Sequence, residues 1–222
     1  MIEQVTLRDG TDAFVVPLER TDRAALVAEF ETLSPESQRR RFLAPVRHLS
    51  DTMLDHLVDD VDGVDHIALV LCAETRSGVY DPVALARMVR YADVTDAADL
   101  AVTVKDAWQG RGVATVLLEV LMRRRPTGVG RIITEVLQDN PASLGMLRRL
   151  GAVSLEDEGN GVYGVVVELE PLAAADAPVV TRVTAQSPAP AGRGEGRPPP
   201  LLHDPRHRHE LRTRDQLCPW FT

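Results

Sequence analysis

The chain has 222 residues, 44% of them hydrophobic and 26% charged, with a formal net charge of −8. That length accommodates one sizeable domain, or a domain with a tail, and the acidic balance weighs against a nucleic-acid binder and mildly favours a cationic substrate. No apolar run reaches the roughly 20 residues of a membrane span, and the opening MIEQVTLRDG lacks a basic start followed by an apolar stretch, so a cytoplasmic protein with no membrane partner is expected.

Ala13 to Leu18 reads as a first strand. Thr21 is a candidate N-cap for a helix whose apolar residues are Ala24, Leu26, Val27, Phe30 and Leu33. Ser34-Pro35 opens a short basic helix, SPESQRRRF, and Ser50-Asp51 opens another with Met53, Leu54, Leu57 and Val58 on one face. His66 to Ala73, HIALVLCA, has the unbroken apolar character of a buried strand, with Pro82 to Tyr91 as its partner. Leu100, Val102 and Val104 alternate with Ala101 and Thr103, the period of a strand. A glycine turn follows, then a helix to about Arg125, where Pro126 stops it. Arg131 to Leu137 is a strand, Asn140 and Pro141 open a last helix with Gly151 just past its end, and Gly161 to Leu169 contains the last strand. Early helices, a run of strands, then β-α-β-α-β predict one α/β domain (α+β type) with a mixed sheet flanked by helices.

From Ala175 onward the composition changes. This stretch holds 8 of the 15 prolines, and its 7 Lys and Arg against 5 Asp and Glu leave 18 against 28, a net −10, in the first 174 residues. Too few apolar groups remain there to offset the entropy of ordering. Residues 175–222 are therefore read as a Pro/Gly/Arg-rich disordered tail, and residues 5–172 as the folded domain. His203, His207 and His209 lie in this tail with no cysteine or carboxylate cage around them, so no metal is expected. Cys72 sits in an apolar run and Cys218 near the end, which disfavours a structural disulfide.

The glycine turn, WQGRGVATVLLEVL, carries the strongest chemical signal. Val113, Val116, Leu117, Val120 and Leu121 form an apolar stripe that would pack the helix on the sheet. Its first N–H groups have no intrahelical partner, and with the helix dipole they favour a phosphate or pyrophosphate. Gly110 and Gly112 let the backbone approach such an anion, Gln109 can close the loop through its amide, and Arg111 can add charge. An ordinary strand-to-helix turn is the competing reading. The spacing matches neither GxGxxG nor GxxxxGK[ST], which disfavours a dinucleotide or nucleoside-triphosphate turn.

Gln109-Gly110-Arg111-Gly112-Val113-Ala114 resembles the Q/R-x-x-G-x-G/A signature of the GNAT acyltransferases, which bind the pyrophosphate of acetyl-coenzyme A. The strand DLAVTVKDAW precedes it, and 26 residues after Ala114, Asn140 opens NPASLGMLRRLGA, similar to a further family segment. Upstream, LSPESQRRRFL, DHIALV and ARMVRY resemble the bacterial subgroup that includes Pat-type protein lysine acetyltransferases. The resemblance covers about residues 5–170. It implies a mixed, mostly antiparallel sheet in which the strand before the signature splays from its neighbour, with backbone groups of Val102 and Val104 binding the pantetheine arm. Asn140 would touch the pantetheine or simply cap its helix.

The implied reaction is attack of a neutral amine on the thioester, which needs a base and an oxyanion donor. By resemblance, Asp99 stands where Pat-type enzymes carry a glutamate base; it is one methylene shorter, so a water would bridge the gap. Glu135, a lone acid among apolar strand neighbours, is a second candidate. The backbone N–H of Val104 is the candidate oxyanion donor. Two positions depart from the family pattern: Leu147 stands where many members carry a tyrosine that protonates the leaving thiolate, and Val16 where the subgroup has an arginine before proline. The acceptor implied is a primary amine, foremost a protein lysine, with a small-molecule amine as the alternative. A non-catalytic acyl-coenzyme A sensor is the other functional class, favoured by Leu147 and the shortened Asp99. Arg39, Arg40 and Arg41 read as a solvated helix face rather than a ligand site, and Trp108 as a cover for the cofactor or a packing residue. No regulatory nucleotide-binding domain is expected within this chain.

Overall fold

Eight strands pair in the order β1-β2-β3-β4-β5-β6-β8-β7 in the computed structural model, which describes residues 2–170. They are β1 (Glu3–Thr6), β2 (Asp12–Pro17), β3 (His66–Arg76), β4 (Val79–Arg90), β5 (Ala97–Val104), β6 (Arg131–Leu137), β7 (Gly151–Gly159) and β8 (Val162–Leu169). The helices among the described residues are α1 (Arg23–Glu31), α2 (Pro35–Phe42), α3 (Asp51–Leu54), α4 (Val113–Arg123) and α5 (Pro141–Leu147). Every neighbouring pair of strands is antiparallel except β5 and β6, which run parallel. The expected mixed, mostly antiparallel sheet is therefore present. The tail expected over residues 175–222, with His203, His207, His209 and Cys218, lies outside the described residues.

The two faces of the sheet are covered by different helices. Leu69, Leu71, Ala86, Met88, Ala98, Leu100 and Ile132 pack with Leu117 and Leu121 of α4 and Leu144 and Leu147 of α5 in one buried cluster. A fully buried aliphatic side chain of this kind contributes about 1.5–3 kcal/mol, so the α4 stripe fixes where that helix begins. The opposite face carries α1, α2 and α3, where Phe30 and Phe42 meet edge to face at 5.6 Å and Leu54 and Leu57 are buried. Ser34 Oγ accepts from the Ser37 N–H (3.2 Å) to cap α2, and Ser50 Oγ from the Met53 N–H (3.2 Å) to cap α3, as their sequences require. Past α3 the chain continues through one widened turn, with the Asp60 N–H donating to the Asp55 carbonyl (2.9 Å).

The structure corrects the sequence reading at several points. β1 and β7 were not expected. Thr21 is not an N-cap; the chain enters α1 through a tight turn at Arg20–Asp22, where the Glu19 N–H donates to Asp22 Oδ2 (2.9 Å). α4 ends at Arg123, and α5 ends at Leu147, well before Gly151. Gly151 instead starts β7, where a Cβ would sit 1.9 Å from the Glu168 carbonyl oxygen. Glycine is needed there for a close backbone approach, not for a helix end.

Candidate active site

β5 and β6 are in register at two positions only, Ala97 with Arg131 and Ala98 with Ile132. β5 nevertheless runs on to Val104 and β6 to Leu137, so the sheet splits along its parallel pair. The hydrogen-bond parity shows what the split exposes. The Lys105 N–H donates to the Val83 carbonyl (2.9 Å) and the Tyr91 N–H to the Ala97 carbonyl (3.1 Å). With the unbroken register from Ala84–Val104 to Arg90–Ala98, the odd-numbered residues of β5 bond to β4 and the even-numbered ones face the other way. Val102 and Val104 thus turn their N–H and C=O groups into the gap. The Leu100 carbonyl there accepts from Thr134 Oγ1 (3.2 Å) and the Val104 carbonyl from Gln109 Nε2 (3.2 Å).

The glycine turn lies directly after the open end of β5. Gly110 and Gly112 have φ of +77° and +84°, the left-handed region. A Cβ at Gly110 would meet nothing within 4 Å and one at Gly112 only Arg8, so backbone conformation rather than crowding calls for glycine. The first bond of α4 runs from the Val116 N–H to the Gly112 carbonyl (3.1 Å). The N–H groups of Val113, Ala114 and Thr115 precede it, and no side chain caps them. An uncapped helix start beside an open strand edge is a ready seat for an anion with an extended arm.

Two side-chain networks fix this turn. The Asp106 carboxylate accepts from the Ser34 N–H (2.9 Å), Ser34 Oγ (2.8 Å) and Ser37 Oγ (2.7 Å), and Gln109 Nε2 donates to Ser37 Oγ (3.3 Å). Partial burial works against the Asp106 charge, yet these donors hold its carboxyl below the usual carboxylate range. On the other side Arg111 donates to Asp9 Oδ2 (2.5 Å) and stacks over the Trp108 ring at 4.0 Å. The Thr11 hydroxyl and Arg111 together lower Asp9 to about 2. Arg111 is therefore engaged in holding the turn, and Trp108 packs on its guanidinium.

Sequence reasoning missed Arg8. It lies in the turn between β1 and β2, with its Nε 3.9 Å from where a Cβ of Gly112 would be. It is exposed and has no ion-pair partner among the described residues, beside the uncapped start of α4. The signal in the sequence was the LRDG turn, which could be placed only once β1 was known.

Both candidate acids lie on the face of the sheet opposite α4, one on each side of the split, because their neighbours Ala98, Leu100, Ile132 and Val136 face the α4 core. Asp99 follows the last registered pair, at the closed end of the split. It is half-buried and crowded by protein. Burial pushes its carboxyl above the usual range, against the pull of the Thr134 hydroxyl and the charges of Arg41 and Arg87. Glu135 is half-buried opposite Gly164 of β8. Asn140 caps α5: its Oδ1 accepts from the Ser143 N–H (3.2 Å) and its Nδ2 donates to Ser143 Oγ (2.8 Å). Leu147 is 1% exposed within the core, so this position does packing. The arginines of α2 are half-buried rather than a solvated face. Arg39 pairs with Glu36 (3.0 Å) and Asp139 (2.6 Å), Arg40 pairs with Glu36 (2.7 Å), and Arg41 lies over the Phe42 ring at 4.7 Å. No cluster of metal-ligating side chains occurs among the described residues, and no helix among them is long and apolar enough to cross a membrane.

A mixed sheet split along its parallel pair, with an uncapped helix start at the mouth of the split, is the architecture of the GNAT acetyltransferase fold. The chain belongs to that family: the acetyltransferase (GNAT) family model matches residues 35–152, just over half of it. It is 34% identical over 140 residues to Acetyltransferase Pat of Mycolicibacterium smegmatis, covering 63% of this chain and 40% of that protein, so it spans well under half of that relative's length. Among solved structures it is similar to the GNAT domain of S. lividans PAT, with 32% identity, a TM-score of 0.63, and coverage of 76% of this chain and 97% of that one. At the level of the fold it also matches yncA of Salmonella typhimurium, solved with its cofactor acetyl-CoA, at 18% identity, a TM-score of 0.54, and coverage of 75% of this chain and 99% of that one.

Proposed function

We propose that residues 5–172 form a catalytic domain that transfers an acetyl group from acetyl-coenzyme A to a primary amine, foremost a protein lysine. The observation that carries this reading is the divergence of β5 from β6 directly before the uncapped start of α4. The residues present fit the cosubstrate. The N–H groups of Val113 and Ala114, freed by the left-handed backbone of Gly110 and Gly112, take the pyrophosphate. Gln109 and Arg111 hold the turn, and the backbone of Val102 pairs with the pantetheine arm. Asn140 stands across the split as the cap of α5, with its amide already bonded to Ser143.

Acetyl-coenzyme A supplies an activated thioester; the chain positions the amine and handles the proton. The amine nitrogen bonds to the carbonyl carbon, the carbon–sulfur bond breaks, and sulfur leaves as a thiolate. Asp99, five residues along β5 from Val104, takes the amine proton through a file of waters. Its raised pKa makes it a stronger base than an exposed aspartate. The Val104 N–H donates to the carbonyl oxygen as negative charge develops there. Leu147 offers no proton to the thiolate, which leaves without side-chain help. Glu135 is the reserve base. The lysine reading draws on the name of the Pat relative and on the acidic balance of the first 174 residues.

A second reading follows from Leu147: the domain binds acyl-coenzyme A as a sensor without turnover. Calorimetric titration of acetyl-coenzyme A into the wild type, a Gly112→Trp variant and an Asp99→Asn variant separates these cases. The proposal expects micromolar binding that Gly112→Trp abolishes and Asp99→Asn preserves, with amine acetylation lost in Asp99→Asn. No binding by the wild type overturns both readings, and binding with no acetylation of lysine peptides or small amines leaves the sensor.

A further inference from the structure

On the sheet face opposite α4, a cavity of about 330 Å³ opens between the sheet and α1. Its size falls in the range of small-molecule sites. Its floor is one registered row across four strands: Val16 with Val70, Val70 with Leu85, and Leu85 with Thr103. Its roof is Leu26, Phe30 and Leu33. The charged groups in the lining are two acids, Asp22 and Glu29, and two bases, Arg41 and Lys105, with Glu29 and Lys105 joined in an ion pair. These charges cancel, so nothing in the wall selects an ionic ligand, and the apolar floor and roof select an apolar one.

The row ends on β5, and that is what identifies the occupant. Thr103 and Lys105 reach the cavity, while Val102 and Val104, which alternate with them, turn their backbone groups into the split. At this level β6 has left β5, so the split is a gap through the sheet. A chain that starts at the Val104 N–H and passes through the gap emerges beside Thr103, at the end of the apolar row. We infer that this cavity receives an aliphatic acyl chain longer than acetyl, carried on coenzyme A and threaded through the split onto the floor formed by Val16, Val70 and Leu85. The inference rests on the proposed binding of the thioester at Val104, and it specifies the acyl class of that same site.

The test compares acetyl-coenzyme A with hexanoyl-coenzyme A by calorimetry, in the wild type and in Val70→Phe and Leu85→Phe, which fill the floor from two strands. The wild type should bind the hexanoyl form at least about tenfold more tightly, since each buried methylene adds a several-fold gain. Each variant should lose that advantage while holding acetyl-coenzyme A within about twofold, which also reports an intact fold. Equal wild-type affinity for the two thioesters overturns the inference, and so does a hexanoyl advantage that survives in both variants. In either case undiminished acetyl-coenzyme A binding leaves the proposed function standing. Failure to bind either thioester removes the function reading itself, and this inference with it.

Discussion

His66 offers the sharpest quantitative test of the site's foundations. It is 7% exposed, on the same face as Asp99, and Arg87 Nη2 donates to its Nε2 at 2.5 Å. Nε2 must then be an acceptor, which makes the imidazole neutral with its proton on Nδ1. Burial, then the charge of Arg87, lowers the ring to about 4 from an ordinary 6.5, against the pull of a hydrogen bond to the Asp60 backbone. An unfolded chain takes up this proton near pH 6.5 and the folded chain does not until about pH 4. Stability is therefore full above the unfolded value and falls as pH drops through this window. At about 1.4 kcal/mol per pH unit the full loss is about 3 kcal/mol, of which about 2 kcal/mol is gone by pH 5. Urea denaturation of the wild type and of His66→Gln at pH 7.5, 6 and 5 measures the difference. The wild type should lose about 2 kcal/mol more than the variant between the first and last points. Parallel losses in the two proteins would refute a neutral, arginine-bonded His66.

Three other outcomes are expected. Asp99→Asn should lower kcat by about 10²–10⁴ at unchanged acetyl-coenzyme A affinity. It should also stabilise the fold at neutral pH in thermal melts, because a carboxyl raised by burial favours the folded state only below its folded pKa and loses that contribution as pH rises through it. Arg8→Gln should weaken acetyl-coenzyme A binding about five- to tenfold and flatten its salt dependence, as removal of an exposed cation beside an anion seat predicts; an unchanged salt slope counts against that role. Gly151→Ala should cost about 3 kcal/mol or prevent folding, since its Cβ would meet backbone rather than a movable side chain; near-wild-type stability by denaturant titration would contradict the close approach of β7 and β8.

The buried elements were legible in the sequence and the edges were not. HIALVLCA and the β5 alternation read as strands because burial imposes a pattern on them. β1 and β7 lie at the two margins of the sheet, and their residues are mostly exposed or half-buried, EQVT and GAVSLEDEG. With one flank unpaired and little to bury, such strands leave almost no apolar signature. Missing β1 had a further consequence, since the β1–β2 turn brings Arg8 and Asp9 to the glycine turn. The stripe of α4 and the glycines of the signature were readable, because a packed helix and a left-handed turn each demand particular residues. What engages Arg111 was not, because its partner Asp9 lies 102 residues away in the chain.

The same contrast bears on how the site responds to acid. The glycine turn is held through Asp9, whose carboxylate keeps its charge down to about pH 2. A carboxylate lowered in this way contributes its stability above the unfolded value of 3.8 and loses it only as pH falls through the folded value. Asp106, held low by the Ser34 and Ser37 donors, behaves in the same sense. The anion seat is therefore insensitive to mild acid, whereas Asp99, its carboxyl raised by burial, takes up a proton at higher pH than either of these anchors. Acidification from pH 7 to 5 should reduce amine acetylation before it reduces pyrophosphate binding. The amine itself becomes more protonated over that range, so the separation must be read from acetyl-coenzyme A affinity, which no acceptor influences. An affinity that falls in step with activity would place the acid-sensitive group at the glycine turn and contradict the assignment of Asp9 and Asp106 as its fixed anchors.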